Sequence, residues 1–304
     1  ASYILHGSNI NCYGTESAQV IYYIVSGGVC RLKEIKNKKT FHAVEQLRSF
    51  ILSGDDNLQS LSNSIEQKYE TFIFDSLDDF FDTALLVHVI RKFVKHNIRN
   101  ILTEVDNNTD WTDYIRYSFS QHIFSFLPSQ ESAIRKGLLR FERAFSLKMP
   151  TSAGKSYITE LLIYKELKTN PHAKVLYLAP LRSLSRELKF RFKKIGSYLG
   201  FTTRAIYGGS TFTIDQDILR DVRLLISTPE SFSILEDSLE EQLTQFSLVI
   251  CDEGQLLDSL NRGINYELLL TRLKRIEGIR YLFLSAIIPN IEDVNTWLGG
   301  RKMD

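Results

Sequence analysis

Cysteine is scarce in this sequence. The three that occur, Cys12, Cys30 and Cys251, show neither metal-ligand spacing nor a disulfide framework, which fits a reducing cytoplasm. Long apolar runs are missing too. None reaches the roughly 20 residues that cross a bilayer, and no signal peptide is visible, so no membrane partner is expected. An excess of one charge is also absent. The net charge is +1, so no global field announces a polyanion partner. The charges are uneven along the chain, however. Carboxylates outnumber cations over residues 1–120 and cations outnumber carboxylates beyond them, which makes the later part the expected polyanion-facing half.

The 304 residues, 43% hydrophobic and 24% charged, have the length of about two domains and enough apolar side chain for a full core. Residues 41–52, 58–74 and 77–102 carry amphipathic helical patterns. Asp78 and Asp79 sit where the third would begin, as the helix dipole favours. Residues 111–125 follow a turn at Asn107-Asn108-Thr109-Asp110. Residues 19–25 fit either a strand or a short buried helix, and the cations between Lys33 and Lys39 read as a solvated turn. His88 and His96 have no partner at metal-ligand spacing and read as satisfied or surface histidines. Residues 1–120 are therefore expected to form a mostly helical accessory domain without a chemical motif.

From residue 144 the texture changes. Short apolar runs at 144–149, 175–178, 203–207, 222–226, 248–251 and 281–284 alternate with amphipathic stretches. Such alternation predicts an α/β domain, residues 121–304, with a buried parallel sheet and helices on both faces. Ligands in that architecture sit at the carboxyl ends of the strands.

Two of those ends carry chemistry. After the first run comes Pro150-Thr151-Ser152-Ala153-Gly154-Lys155-Ser156 and then a helical pattern. Strand, small-residue loop, Gly-Lys-Ser and helix is the layout of a phosphate-binding loop. Backbone N–H groups and the helix N-terminus surround an anion, Lys155 neutralises the outer phosphates, and the Ser156 hydroxyl is suited to Mg²⁺. The second is Leu248-Val249-Ile250-Cys251-Asp252-Glu253-Gly254-Gln255. Its strand delivers two carboxylates: Asp252 as a hard oxygen ligand for Mg²⁺, and Glu253 to orient and polarise the attacking water.

With these in place, residues 126–300 resemble superfamily 2 helicases, within them the DExH branch of Ski-type helicases and their archaeal repair relatives. Leu127-Pro128-Ser129-Gln130 resembles the family's adenine-reading segment, which implies that Gln130 selects adenine. Residues 150–156 resemble motif I in the Pro-Thr form common in this branch, so Met149 in place of a leading glycine is no departure from it. The resemblance implies that Thr151, Ser152, Ala153, Gly154, Lys155 and Ser156 hold the nucleotide. Ala179-Pro180-Leu181-Arg182-Ser183-Leu184, with Arg186-Glu187, is similar to motif Ia. Thr228-Pro229-Glu230 is similar to motif Ib, and Gly208-Gly209 to another turn on the strand path. These imply backbone contacts to nucleic acid by Arg182, Arg186, Gly208, Gly209 and Thr228. Asp252-Glu253-Gly254-Gln255 is similar to motif II, with Gln255 where histidine is usual. Ser285-Ala286-Ile287 stands where motif III has Ser-Ala-Thr, which implies coupling through Gln255 and Ser285 but places no hydroxyl at Ile287.

The expectation is the first RecA-like lobe of an ATP-dependent helicase or translocase. ATP and Mg²⁺ are its cofactors and single-stranded or partly duplex DNA or RNA its partner. The second lobe, which carries the arginine finger in this family, is expected to lie outside the 304 residues. The rival is a nucleotide-gated clamp that binds nucleic acid without unwinding it; the missing hydroxyl at Ile287 points to that rival, and Lys155, Asp252 and Glu253 to the enzyme. A P-loop kinase or transporter ATPase has no use for Thr228-Pro229-Glu230 and lacks support.

Overall fold

The computed structural model describes residues 18, 20–21, 45–50, 60, 62–67, 77–121, 123–150, 153–207, 221–236, 239, 243–260 and 262–301. Of the residues read as functional, Thr151, Ser152, Gly208 and Gly209 lie outside them, as do Cys12, Cys30 and the cations from Lys33 to Lys39. The chain divides into two compact units, residues 1–126 and 127–304.

In the first unit, helices α1 (Leu77–His96), α2 (Ile98–Val105) and α3 (Thr112–Ser120) follow one another. Residues 18, 20, 21, 45–50, 60 and 62–67 are helical as well. Leu47, Phe50, Leu86, Ile90, Phe93 and Phe119 form its apolar cluster. The pattern read as one helix over 77–102 is broken at Asn97. Its side chain accepts the Asn100 N–H at 2.9 Å and donates to the Val94 carbonyl at 2.7 Å. One residue thus closes α1 and caps α2, a use for which asparagine is suited. The apolar stripe runs on through the break, so periodicity alone does not show it. The helix read over 111–125 is shorter, Thr112–Ser120, and the Trp111 indole N–H donates to the Asp106 carbonyl ahead of it.

The second unit is a six-stranded sheet: β1 (Ala144–Lys148), β2 (Lys174–Leu178), β3 (Thr203–Ile206), β4 (Leu224–Ser227), β5 (Phe246–Cys251) and β6 (Arg280–Ser285). The order is β1-β6-β5-β2-β4-β3, and every pairing is parallel. All six apolar runs are strands, within two residues of the expected limits. The helices are α4 (Pro128–Ala133), α5 (Lys155–Thr169), α6 (Arg182–Leu199), α7 (Pro229–Glu236), α8 (Arg262–Leu273) and α9 (Ile291–Trp297).

Side-chain alternation divides the strands between two layers. Leu176, Leu178, Leu225, Val249, Cys251, Tyr281 and Phe283 join a core with Phe232 of α7 and Tyr266, Leu269 and Leu270 of α8. On the other face, the Tyr177 ring meets Phe192 of α6 at 5.8 Å. Helix α5 is buried from Tyr157 to Ile163 on all sides. A helix enclosed in this way has little freedom to shift, which fixes Lys155 at its start. No helix among the described residues is long and apolar enough to cross a membrane.

Candidate nucleotide and strand site

The strand order decides which motifs meet. β6 lies between β1 and β5, so the carboxyl end bearing Ser285 is flanked by the phosphate-binding loop and by Asp252-Glu253. Met149 N–H donates to the Ser285 carbonyl at 3.0 Å, Asp252 N–H to the Leu178 carbonyl at 3.0 Å, and Ala179 N–H to the Ser227 carbonyl at 2.9 Å. Main-chain bonds thus join the ends of β1 and β6 and the ends of β5, β2 and β4, and the pairing of β5 with β6 connects the two groups.

Gly154 caps α5 with φ 75° and ψ 38°, a left-handed conformation that glycine adopts at no steric cost. A Cβ there would stand 2.3 Å from Nε2 of Gln130. Gln130 is buried, and its amide is engaged at both its oxygen and its nitrogen. Oε1 accepts the Leu127 N–H at 2.9 Å, and Nε2 donates to the Gly154 carbonyl at 3.1 Å and more weakly to Ala153. The residue read as the adenine selector therefore also braces the loop.

Lys155 is buried and reaches back across the loop. Its Nζ donates to Glu253 Oε1 at 3.0 Å and lies 3.9 Å from Asp252 Oδ1. Burial acts to raise the Glu253 carboxyl, but hydrogen bonds from Lys155 and Gln255 outweigh it and hold Glu253 below the usual carboxylate range. Asp252 is deeper, and burial pushes its carboxyl above that range despite the Tyr177 hydroxyl and the Lys155 charge. Glu253 sits at φ 50° and ψ 47°, a non-glycine left-handed conformation of the kind retained at functional sites. The turn it starts runs directly beneath Phe283: a Cβ on Gly254 would lie 2.2 Å from that ring. The buried Asp252 carboxylate and the hydroxyl of Ser156, next to Lys155 in the chain, are hard oxygen donors, a set that fits Mg²⁺ better than softer metals.

Gln255 connects motif II to motif III. Its Nε2 donates to Glu253 Oε2, and its Oε1 accepts from Ser285 Oγ at 3.1 Å and from Ala286 N at 3.4 Å. The link uses Ser285 and main chain, so it does not require a hydroxyl at position 287. Ile287 itself is 76% exposed.

A cleft of about 440 Å³ is lined by Pro180, Leu181, Arg182, Thr228, Ser231 and Arg262, among others. Arg182 is exposed and belongs to it; Arg186 is exposed on α6 and does not line it. The Thr228 hydroxyl faces inward, donating to Ser231 Oγ at 2.9 Å and accepting the Ser231 N–H at 3.2 Å, so it caps α7. Arg262, read only as part of a helical stretch, donates to the Pro180 carbonyl at 2.7 Å and to Glu230 at 2.8 Å. It ties motif Ia to motif Ib. The adjoining glycine was the available signal: a Cβ on Gly263 would lie 2.2 Å from the Leu257 carbonyl, so Arg262-Gly263 marks a tight junction. Cys251 is buried with its thiol pushed up to about 12 by burial, and acts as an apolar strand residue.

Residues 127–294 match the family model described as DEAD/DEAH box helicase. The chain is similar to Hachiman protein HamB of Bacillus cereus, at 34% identity over 181 residues, covering 58% of this chain and 16% of that protein. It is similar to the ATP-dependent DNA helicase Hel308 of Methanocaldococcus jannaschii at 29% identity over 183 residues, 59% of this chain and 15% of that one. The chain thus spans about one sixth of the length of these relatives. Among solved structures, the DUF1998 helicase MrfA superposes with a TM-score of 0.53 at 20% identity, over 64% of this chain and 32% of its own. A hypothetical ATP-dependent RNA helicase from Sulfolobus tokodaii does so with 0.51 at 21% identity, over 61% and 54%. These likenesses concern the fold: a RecA-like parallel sheet with helices on both faces.

Proposed function

We propose, from the premise that this chain belongs to the DEAD/DEAH box helicase family, that residues 127–304 are the first motor lobe of an ATP-dependent helicase or translocase. The observation that carries the reading is the meeting of Lys155 with Glu253 at 3.0 Å and Asp252 at 3.9 Å, directly after the phosphate-binding loop. An ammonium between two carboxylates is a site from which an incoming phosphate can recruit the cation, exchanging one anionic partner for another.

In this reading the α5 N-terminus and Lys155 hold the β- and γ-phosphates. Ser156 and Asp252 hold Mg²⁺, which neutralises charge on the phosphate oxygens when bound. Glu253, released by Lys155 and still held by Gln255, orients the attacking water and accepts its proton. Gln130 keeps a lone pair on Oε1 for the adenine amino group while bracing the loop. Arg182 and the α7 N-terminus take the backbone of one strand of DNA or RNA, with Arg186 adding charge from α6. Gln255 and Ser285 carry the nucleotide state toward that grip. A second RecA-like lobe of the complete protein closes on the nucleotide and supplies the arginine finger, worth about 10³ to 10⁵ in rate.

The test is binding of a fluorescent ATP analogue to the wild type and to Lys155→Ala, followed by phosphate release from the complete protein with and without single-stranded DNA or RNA. Equal analogue binding by both proteins rejects the site. Turnover indifferent to both nucleic acids rejects the motor.

A further inference from the structure

The site just described leaves one buried polar group unused. Tyr177 stands on β2 among Val175, Leu176 and Leu178, is 1% exposed, and donates its hydroxyl to Asp252 Oδ2 at 2.8 Å. Phenylalanine would fill the same space without a polar atom to desolvate, so a hydroxyl here is costly unless its bond has a use.

Thr159, fully buried one turn beyond Ser156 on α5, donates its one hydroxyl proton to the Ser156 carbonyl at 2.8 Å, so the Tyr177 proton is left for Asp252 alone. On the other side, Asp252 Oδ1 accepts the Glu253 N–H at 2.9 Å. Both Asp252 oxygens are thus held, each with a further lone pair to offer. Asp252 follows β5 and Tyr177 stands on the neighbouring β2, so the sheet itself sets the distance between them.

We propose that Tyr177 is a positioning residue for the divalent cation: with the Glu253 N–H it locks the Asp252 carboxylate, so that this oxygen ligand is preset before metal arrives. The inference rests on the ATP·Mg²⁺ reading of this site. Outer-shell partners of this kind fix ligand orientation, and their loss weakens metal affinity by about 10- to 100-fold. Burial first, and then the Asp252 charge beside it, push the Tyr177 phenol well above its ordinary value, so it remains a donor.

The experiment compares wild type, Tyr177→Phe and Thr159→Val, both variants chosen to keep side-chain volume. Apparent metal affinity is read from Mg²⁺ titrations of fluorescent ATP analogue binding, and independently from the free Mn²⁺ resonance signal in the presence of ATP. Binding in EDTA and the melting temperature are measured alongside. The expected result is metal affinity weaker by about tenfold in Tyr177→Phe and near wild type in Thr159→Val, with binding in EDTA unchanged. An unchanged metal dependence in Tyr177→Phe overturns the inference. So does an equal loss of binding in EDTA, which marks a general structural role. A wild type whose analogue binding ignores Mg²⁺ overturns the reading of the site itself, and this inference with it.

Discussion

The Lys155 ammonium lies 3.0 Å from the Glu253 carboxylate, although 98 residues separate them in sequence. Both side chains are drawn from loops at strand ends, and each satisfies the other while no phosphate is bound. Lys155→Ala removes the charge that would meet the phosphates and leaves Glu253 half-buried without its cation. A charge-assisted hydrogen bond to phosphate is worth about 1.5–3 kcal/mol, so the variant is expected to bind a fluorescent ATP analogue about 10- to 100-fold more weakly. Glu253→Gln is the opposite case: it removes the competing anion and keeps the shape. It should bind the analogue as tightly as wild type or a few-fold more tightly, while turnover of the complete protein falls by roughly 10²-fold or more. Unchanged kcat in that variant would make Glu253 a structural residue.

Gly154 tests the loop from its backbone side. An alanine at φ 75° costs about 1–2 kcal/mol in the left-handed region, and its Cβ would strike Nε2 of Gln130 at 2.3 Å. Gly154→Ala is therefore expected to lower the melting temperature by a few degrees and to loosen the loop, with a larger loss of nucleotide affinity than of stability. Thermal melting and analogue titration on the same sample check both parts. A variant with wild-type affinity would show that the Gln130 brace does not shape the nucleotide site.

How much of this was legible in the sequence follows from how local each feature is. The strands are buried on both faces, so they read as apolar runs such as Leu248 to Cys251, and the motif residues are fixed by position relative to those runs. Strand order is not local. That β6 stands between β1 and β5, and thereby puts Ser285 beside Gln255, follows from packing across more than 100 residues. Tyr177 was hidden because one hydroxyl in an apolar strand does not disturb the pattern. Arg262 looked like any helix-face cation until the Pro180 carbonyl and Glu230 were found on either side of it. Asn97 broke a helix without breaking its apolar stripe, since a cap changes main-chain direction and leaves side-chain periodicity intact.

The strand grip has a salt signature. Contacts to phosphate release counterions, so affinity for single-stranded DNA or RNA should fall linearly with the logarithm of salt, and Arg182→Ala should lower that slope by about one contact for all sequences alike. Arg262→Ala acts differently, because its side chain braces Pro180 and Glu230. The Arg262–Glu230 pair is 45% and 41% exposed, so solvent screens it, and its loss together with the bond to Pro180 is worth about 1 kcal/mol. Strand affinity is expected to fall about fivefold with the salt slope little changed. Filter binding across a salt series separates the two variants; an equal drop in slope would make Arg262 a direct phosphate contact.

Gln255 carries the last prediction. Its Nε2 holds Glu253 Oε2, while its Oε1 receives Ser285 Oγ at 3.1 Å, so one amide joins the carboxylate proposed as catalytic to the end of β6. Gln255→Ala removes both bonds. A hydrogen bond to a charged group contributes about 1.5–3 kcal/mol, and a factor of ten in rate corresponds to about 1.4 kcal/mol; nucleic-acid-stimulated turnover of the complete protein should fall about tenfold or more, with analogue binding nearly unchanged. The pH dependence fixes which half of the bond matters. Glu253 is held below the usual carboxylate range because Lys155 and Gln255 outweigh its burial. Stability from such a group is present above the unfolded-state value and is lost as pH falls through the folded-state value. Removing the Gln255 N–H raises Glu253 again, so the acid limb of the rate profile should move to higher pH, and the stability gap between wild type and variant should close as the solution is acidified. Gln255→Glu keeps an acceptor for Ser285 but sets a second carboxylate against Glu253. It should shift the acid limb further than alanine does, while leaving the Ser285 bond in place. If stimulated turnover falls in Gln255→Ala but not in Gln255→Glu, with no movement of the acid limb in either, Gln255 acts through Ser285 alone and the Glu253 half of the relay is rejected.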